Sequence, residues 1–270
     1  MLVYITNAQT EDRAICNRTF SFVFEHKLID KPINEIVAVI GKQFLNSPYE
    51  AHTLEHSDTE QLVVNLHSFD CVTFVENVLS ISRCVKLNRL SFDEYQRQLR
   101  LIRYRRGVIN GYASRLHYFS EWISDNEEKG IIKNISKKLG GRTLRKKINF
   151  MTSHRDKYKQ LATDSIFNFI RITEDSLSRR SMFFIPKSKI KNCKSKIHDG
   201  VIIAMTSSQE GLDIAHTGIA VRVEDGSLHY MHAPDVNGKV KISNEALDKY
   251  VQHHSQFSGI IVLEASEPAE

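Results

Sequence analysis

The last quarter of the chain constrains the fold most. Residues 201–205, 217–223, 228–232, 239–242 and 259–264 each read as a short strand, with turn residues between them. Strands this short and this close in sequence pair as antiparallel neighbours. What precedes them reads largely as helix. Within residues 10–45, Ile33, Ile36, Val37 and Ile40 recur at helical spacing, and Gly41 is the expected terminator. Residues 71–87, 92–106 and 166–177 predict further helices. Tyr112 to Asp125 carries aromatics at helical or turn spacing, 46–60 is a polar loop, and the apolar run 61–66 suits a short strand. Helices first and an antiparallel sheet last is an α+β pattern.

Composition sets limits on this reading. Of 270 residues 41% are apolar and 26% charged, enough for a core and too apolar for a disordered chain. No run approaches the ~20 apolar residues of a membrane span. The N-terminus lacks a basic start and its apolar run is too short for a signal peptide. That points to a cytoplasmic protein or to a chain given without its leader. The net charge of +5 is weak evidence for a polyanion partner. Charge is nevertheless uneven: residues 133–159 hold ten Lys or Arg against one acid, Asp156, and 179–196 hold seven and none. The middle of the chain reads as a basic insertion whose surface is solvated or meets an anionic or sugar-phosphate surface. No nucleic-acid motif accompanies it.

The four cysteines, Cys16, Cys71, Cys84 and Cys193, have spacings that suit neither a zinc ribbon nor a disulfide framework. Cys71 stands apart. In Phe69-Asp70-Cys71-Val72-Thr73-Phe74, Asp70 is a good N-cap, and Phe69 and Phe74 fall where a hydrophobic staple would hold the helix start. Cys71 is then the first helical residue. The helix dipole and nearby backbone N–H groups favour its thiolate there and can support an oxyanion. The plain alternative is a small apolar core residue.

A thiolate nucleophile needs an imidazole to carry its proton and a third group to orient that imidazole. Glu224-Asp225-Gly226 suits a three-residue hairpin loop that pairs Val223 with Ser227. Counting outward, Gly218 faces His232, and His216 lies one pair along on the same face, so the two imidazoles become diagonal neighbours. His216, Gly218 and Ala220 share a face that is small apart from the histidine. A helix approaching that face would bring Cys71 to His216. Structural histidines at sheet ends are the competing reading. A zinc site lacks both typical spacing and an adjacent acid.

These residues resemble the NlpC-type cell-wall cysteine hydrolases, which have a papain-like core. The likeness rests on Asp70-Cys71 opening a helix, His216-Thr217-Gly218-Ile219 opening a strand, and Met231-His232-Ala233-Pro234 on the next. It is closer to the branch described as N-acetylmuramoyl-L-alanine amidase-like. That branch is matched by Tyr49 to Glu55, Phe69 to Leu79, Gly111 to Tyr118, Phe184 to Lys187 and Leu212 to His216. His52 stands where the branch usually has glycine, and Val201 replaces an aspartate after Gly200.

The resemblance implies an α+β fold in which the nucleophile helix packs on a C-terminal antiparallel sheet. It implies one domain over 1–270, with a helical basic insertion at about 88–197. Cys71 would be the nucleophile, His216 the base and His232 its orienting partner, with Tyr49 beside the nucleophile. Arg115 and His117 in Ser-Arg-Leu-His-Tyr are candidate substrate-binding residues, a guanidinium suiting a carboxylate. The alternative for them is a salt bridge closing the insertion onto the core. The implied reaction is hydrolysis of the amide between N-acetylmuramic acid and the L-alanine of peptidoglycan or muropeptides, through an acyl-enzyme. No metal or organic cofactor, nucleic acid or membrane span is called for, and the cell envelope is the implied location. The same triad could instead serve a stem-peptide endopeptidase, and a non-catalytic wall- or polyanion-binding module is the alternative from another class.

Overall fold

The computed structural model describes residues 7–55, 57–235 and 238–269. Residues 1–6, which carry the short apolar run weighed above as a leader, lie outside the described residues. Five helices come first: α1 (Asn7–Glu25), α2 (Ile33–Gln43), α3 (Cys71–Lys86), α4 (Phe92–Arg103) and α5 (Phe119–Glu128). Then follow β1 (Ile132–Asn134), β2 (Arg142–Leu144), the short α6 (Phe150–Ser153), α7 (Asp164–Arg179), β3 (Met182–Pro186) and the short α8 (Ile190–Cys193). The chain closes with β4 (Ile202–Ser207), β5 (Ile214–Arg222), β6 (Leu228–His232), β7 (Lys241–Ile242), α9 (Leu247–His253) and β8 (Phe257–Ala265).

The strands form one sheet in the order β2-β3-β8-β4-β5-β6-β7, and β1 also pairs with β8. All pairings are antiparallel. β1, β2 and β3 come from the segment read as a helical insertion. That segment is therefore mixed, and it extends the sheet through β8. Strands as short as β1 and β2, three residues each, carry too little period-two pattern to stand out from loop.

Each face of the sheet has its own apolar layer. On one, Ile202, Ala204, Ile219, Val221, Ile261 and Leu263 join Ile36, Ile40, Val75, Val78 and Leu79 of α2 and α3. On the other, Ile203, Met205, Ala220, Tyr230, Ile260 and Val262 meet Ile190, Cys193, Leu247 and Val251 from α8 and α9. A third cluster, with Tyr112, Tyr118, Ile148, Met151, Leu161 and Ile170, ties α7 to the chain before it.

This arrangement corrects the expected approach of the nucleophile helix. α3 lies on the Ile219 and Val221 face, and the small-residue face of Ala220 is covered by α8 and α9. Large apolar side chains on both partners bury more area than a close approach over glycine and alanine would. Gly41 is likewise no terminator. It sits inside α2, where a Cβ would stand 2.8 Å from Met231 Cε and 3.5 Å from Ile219 Cδ1. Its missing side chain is what seats α2 on the sheet.

Two other expectations shift. Residues 61–66 form no strand. Their backbone is bound by side chains instead: Leu66 N–H donates to Asp12, Val63 O accepts from Arg103, and Gln61 O accepts from the Tyr104 hydroxyl. The helix predicted over 92–106 ends at Arg103, because Tyr104 turns extended to bridge Arg115 and Arg106 takes a φ of 53°.

Candidate active site

The start of α3 is specified twice over. Asp70 Oδ1 accepts the N–H groups of Val72 at 2.9 Å and Thr73 at 2.7 Å, and the Thr73 hydroxyl accepts Asp70 N–H at 2.9 Å. This is a capping box. The rings of Phe69 and Phe74 sit 6.0 Å apart, edge to face, and Phe44 packs on Phe69 at 5.2 Å. Cys71 is therefore held at the first position of α3. It is half-buried, whereas Cys16, Cys84 and Cys193 are buried.

The Pro48-Tyr49 segment is pinned beside this helix start. Phe69 N–H donates to Pro48 O, Glu50 N–H to Phe69 O, and Tyr49 N–H to Gly238 O. That brings the Tyr49 side chain to the cleft shared with Cys71 and His216.

The histidines come from β5 and β6. Val223 N–H donates to Ser227 O at 3.1 Å and Gly226 N–H to Val223 O at 2.8 Å, so the loop is Glu224-Asp225-Gly226. Arg222 then pairs with Leu228 and Ile219 with Met231, the register counted from the sequence. His216 Nε2 lies 2.8 Å from His232 Nδ1. A Cβ on Gly218 would stand 2.4 Å from Met231 O and 3.1 Å from His232 Cβ, so glycine is required between them. Beside His216 the pairing with β4 shifts: Met205 opposes His216, while Thr206 opposes Ile214. The extra residue, Ala215, is a bulge, a device that re-aims the neighbouring side chain.

Burial sets the charge states. It pushes the Cys71 thiol up to about 12, with the Asp70 carboxylate adding to it; the backbone N–H groups of Thr217, Cys71 and Val72 pull the other way. The sequence favoured a thiolate from the helix dipole and the nearby backbone N–H groups, and desolvation with the capping carboxylate outweighs them. Burial pushes His216 down to about 4, against the charge of Asp235. His232 falls to about 2 through burial and the nearby His216. At neutral pH the site holds a thiol and two neutral imidazoles.

Two clefts meet at this point. One, about 260 Å³, lies on the side of the middle segment and is lined by Cys71, His216, Glu55, Tyr112, His117 and Tyr158 among others. The other, about 290 Å³, lies toward the end of the sheet and is lined by Cys71, His216, Tyr49, Asp235, Tyr250 and His254 among others. Cys71, Ala215 and His216 are common to both.

Residues 39–260 match the family described as AmiA-like, N-acetylmuramoyl-L-alanine amidase-like. The chain belongs to this amidase-like family. Among solved structures it is similar to an N-acetylmuramoyl-L-alanine amidase from Bacteroides uniformis. That likeness has 36% identity and a TM-score of 0.82, over 87% of this chain and 99% of that one. A Bacteroides fragilis protein described as a candidate xylanase is 34% identical, with a TM-score of 0.80 over 84% of this chain and 99% of that one. A Legionella pneumophila protein shares the fold at 19% identity and a TM-score of 0.71, over 96% of each chain. No curated protein matches the chain.

In this amidase-like chain the outer residues divide by burial. Arg115 is buried; its guanidinium donates to Leu54 O at 2.9 Å and Glu55 Oε1 at 2.6 Å, and lies 3.6 Å from Glu60. It is tied to protein groups, as in the salt-bridge alternative, and it fixes Glu55 at the cleft. His117 lines the cleft and places Nε2 2.8 Å from Tyr112 O. Burial, with Arg115 adding to it, lowers His117 to about 3. Asp213 is buried in the cleft wall, where it accepts Ser120 N–H at 2.7 Å and caps α5.

Sequence reasoning gave Glu55, Asp213, Asp235 and His254 no role. Only the first two lie in segments that carried the family resemblance, and nothing local marks any of them as facing a cleft. His52 adopts a φ of 61°, the left-handed region where glycine is at ease, which accounts for the glycine usual there. Four basic residues of the middle have partners: Arg155 pairs with Asp164, Lys159 with Asp58 and Lys194 with Asp248, and Lys146 donates to Ser207 O.

Proposed function

We propose that this chain is a cysteine amidase of the NlpC-type, papain-like class. It would cleave the amide between N-acetylmuramic acid and L-alanine through an acyl-enzyme. The observation that carries this reading is the His216–His232 contact beside a helix-opening cysteine, at the junction of two clefts.

The contact supports one proton inventory for this mechanism. His216 Nε2 is taken by His232, which leaves Nδ1 as the nitrogen for the Cys71 thiol. To accept that proton, Nδ1 must be bare in the resting site, so Nε2 carries the hydrogen and donates it to His232 Nδ1. His232 then carries its own hydrogen on Nε2, an atom with no hydrogen-bond partner among the described residues. These tautomers follow from hydrogen-bond logic.

His216 takes the thiol proton as sulfur attacks the lactyl carbonyl carbon. The carbonyl oxygen becomes an oxyanion, supported by the Cys71 N–H, which the Asp70 cap does not use, and by the Tyr49 hydroxyl. Burial and the neighbouring acidic groups raise the Tyr49 pKa, which keeps that hydroxyl a donor. When the C–N bond breaks, His216 returns the proton to the amine of L-alanine. Water, deprotonated by His216, then releases the muramoyl acid and restores the thiol.

A glycosidase reading, prompted by the Bacteroides fragilis relative, is not favoured. That chemistry needs two carboxyl groups flanking the bond. Glu55 is ion-paired with Arg115, and Asp213 is buried against α5.

The test is mass spectrometry of N-acetylmuramoyl peptides after incubation with the wild type and with Cys71→Ala. Stem peptide beginning at L-alanine, absent with the variant, supports the amidase. Cleavage inside the stem makes the chain an endopeptidase, and no cleavage leaves a binding module.

A further inference from the structure

We infer that the active site selects against negative charge beside the scissile amide, so that it takes muramoyl compounds whose alanine carboxyl is itself in amide linkage and discriminates against a free carboxylate there. This rests on the amidase reading and specifies its substrate class: peptide-bearing muramoyl compounds in preference to N-acetylmuramoyl-L-alanine.

The chain as a whole carries a charge of +5, yet the two clefts that meet at Cys71 are lined by acids. Glu55 stands in one and Asp235 in the other, and among the described residues no Lys or Arg lines either. The charge of Asp235 acts on His216, Tyr49 and Tyr250, and that of Glu55 on Tyr112 and Tyr158, all of them wall residues. Asp70, the cap of α3, adds a third carboxylate that acts on Cys71 and Tyr49. Little cationic charge answers these groups. Asp235 is exposed and has no ion pair among the described residues. Glu55 shares one guanidinium, that of the buried Arg115, with Glu60, at 2.6 and 3.6 Å. Burial lowers His117 to about 3 and His216 to about 4, so both are neutral at pH 7. His254, the other histidine of the walls, gives Nδ1–H to Tyr250 O at 2.7 Å. Lys241 acts on the buried His232 but lines neither cleft.

Both sides of the nucleophile share this balance, so the consequence holds whichever cleft receives the sugar. An N-acetylmuramoyl group brings no charge of its own, because its lactyl carboxyl is the acyl half of the scissile amide. A terminal L-alanine brings a carboxylate next to that amide. In clefts of about 260 and 290 Å³ this carboxylate lies within the ~8–10 Å over which exposed charges act in salt. Like charges brought together in this way oppose binding. Amide linkage of the alanine to a further residue removes the charge and leaves a hydrogen-bonding group in its place.

Two matched pairs of probes test this. N-acetylmuramoyl-L-alaninamide and N-acetylmuramoyl-L-alanine differ by one charge at nearly the same shape. The wild type should show kcat/KM about 10-fold higher on the amide, the effect of a like charge roughly 8 Å away at an effective dielectric of about 30. Iodoacetamide and iodoacetate differ in the same way and need no amidase activity. Relative to their rates with a small free thiol, Cys71 should favour the neutral reagent by about 10-fold. Both preferences should shrink by about threefold or more in Glu55→Gln combined with Asp235→Asn, and with rising salt. Glu55→Gln keeps an oxygen for the Arg115 N–H. Asp235→Asn alone, at an exposed and unpaired position, should narrow the alkylation preference with no change in melting temperature. Equal kcat/KM on the two muramoyl compounds, or an alkylation preference unmoved by the double variant, overturns the inference. Selective alkylation with neither muramoyl compound cleaved overturns the amidase reading, and the substrate class with it, and is told apart by the intact charge preference at Cys71.

Discussion

His216 Nε2 and His232 Nδ1 stand 2.8 Å apart across adjacent antiparallel strands, with Gly218 leaving the room between them. The hairpin turn, eight residues away, sets this distance. A loop one residue longer would send the two imidazoles to opposite faces. In the proposed mechanism, chemistry at His216 depends on His232 and on the strand spacing that holds them together.

His232→Ala should lower kcat by about 10²- to 10⁴-fold with a small change in KM, because His216 loses the partner that holds its tautomer. His232→Asn should recover part of that loss, since its carbonyl oxygen can accept the His216 Nε2–H. Steady-state kinetics on an N-acetylmuramoyl peptide decide it. Equal activity in all three proteins would remove His232 from the mechanism.

The acid limb of the kcat/KM profile should fall near pH 4. His216 works as a base only when neutral, and burial lowers it to about 4 from an ordinary value of 6.5. Activity should thus rise through pH 4 and be flat by about pH 5.5. A limb centred near 6.5 would mean a solvated imidazole and a more open site.

Asp70 both caps α3 and opposes ionisation of Cys71. Asp70→Asn keeps a good cap and removes the charge. Iodoacetamide labelling of Cys71 at pH 7 should quicken several-fold, with a small change in melting temperature. Slower labelling would show that the capping carboxylate is no obstacle to the thiolate.

Gly218→Ala should cost about 1–3 kcal/mol of stability, the usual range for overpacking, because the new methyl meets the Met231 carbonyl. It should also cut turnover by more than tenfold by pushing β6 and His232 outward. Thermal melts and kinetics together check this, and a variant with wild-type turnover would show that the His216–His232 spacing is not critical.

How legible the chain was depended on how local each determinant is. The cap at Asp70, the Phe69–Phe74 staple and the turn at Glu224-Asp225-Gly226 act within a few residues, and α3 and the β5–β6 register follow from them. The face of the sheet that α3 covers did not follow. Both faces of β5 offered a reason for contact, and the choice came from α8 and α9, more than 100 residues from α3 in sequence. The partners of Arg115 were hidden for the same reason: Glu55 and Glu60 lie 60 and 55 positions away. The Cys71 thiol was misjudged because the dipole is visible in sequence and desolvation is not.

The most direct test of the central claim is intact-protein mass spectrometry of enzyme quenched during turnover of an N-acetylmuramoyl peptide. The account predicts a covalent muramoyl adduct that maps to the peptide containing Cys71, with free stem peptide appearing in parallel, and neither in Cys71→Ala. Stem-peptide release that persists undiminished in Cys71→Ala, without an adduct in either protein, would contradict it.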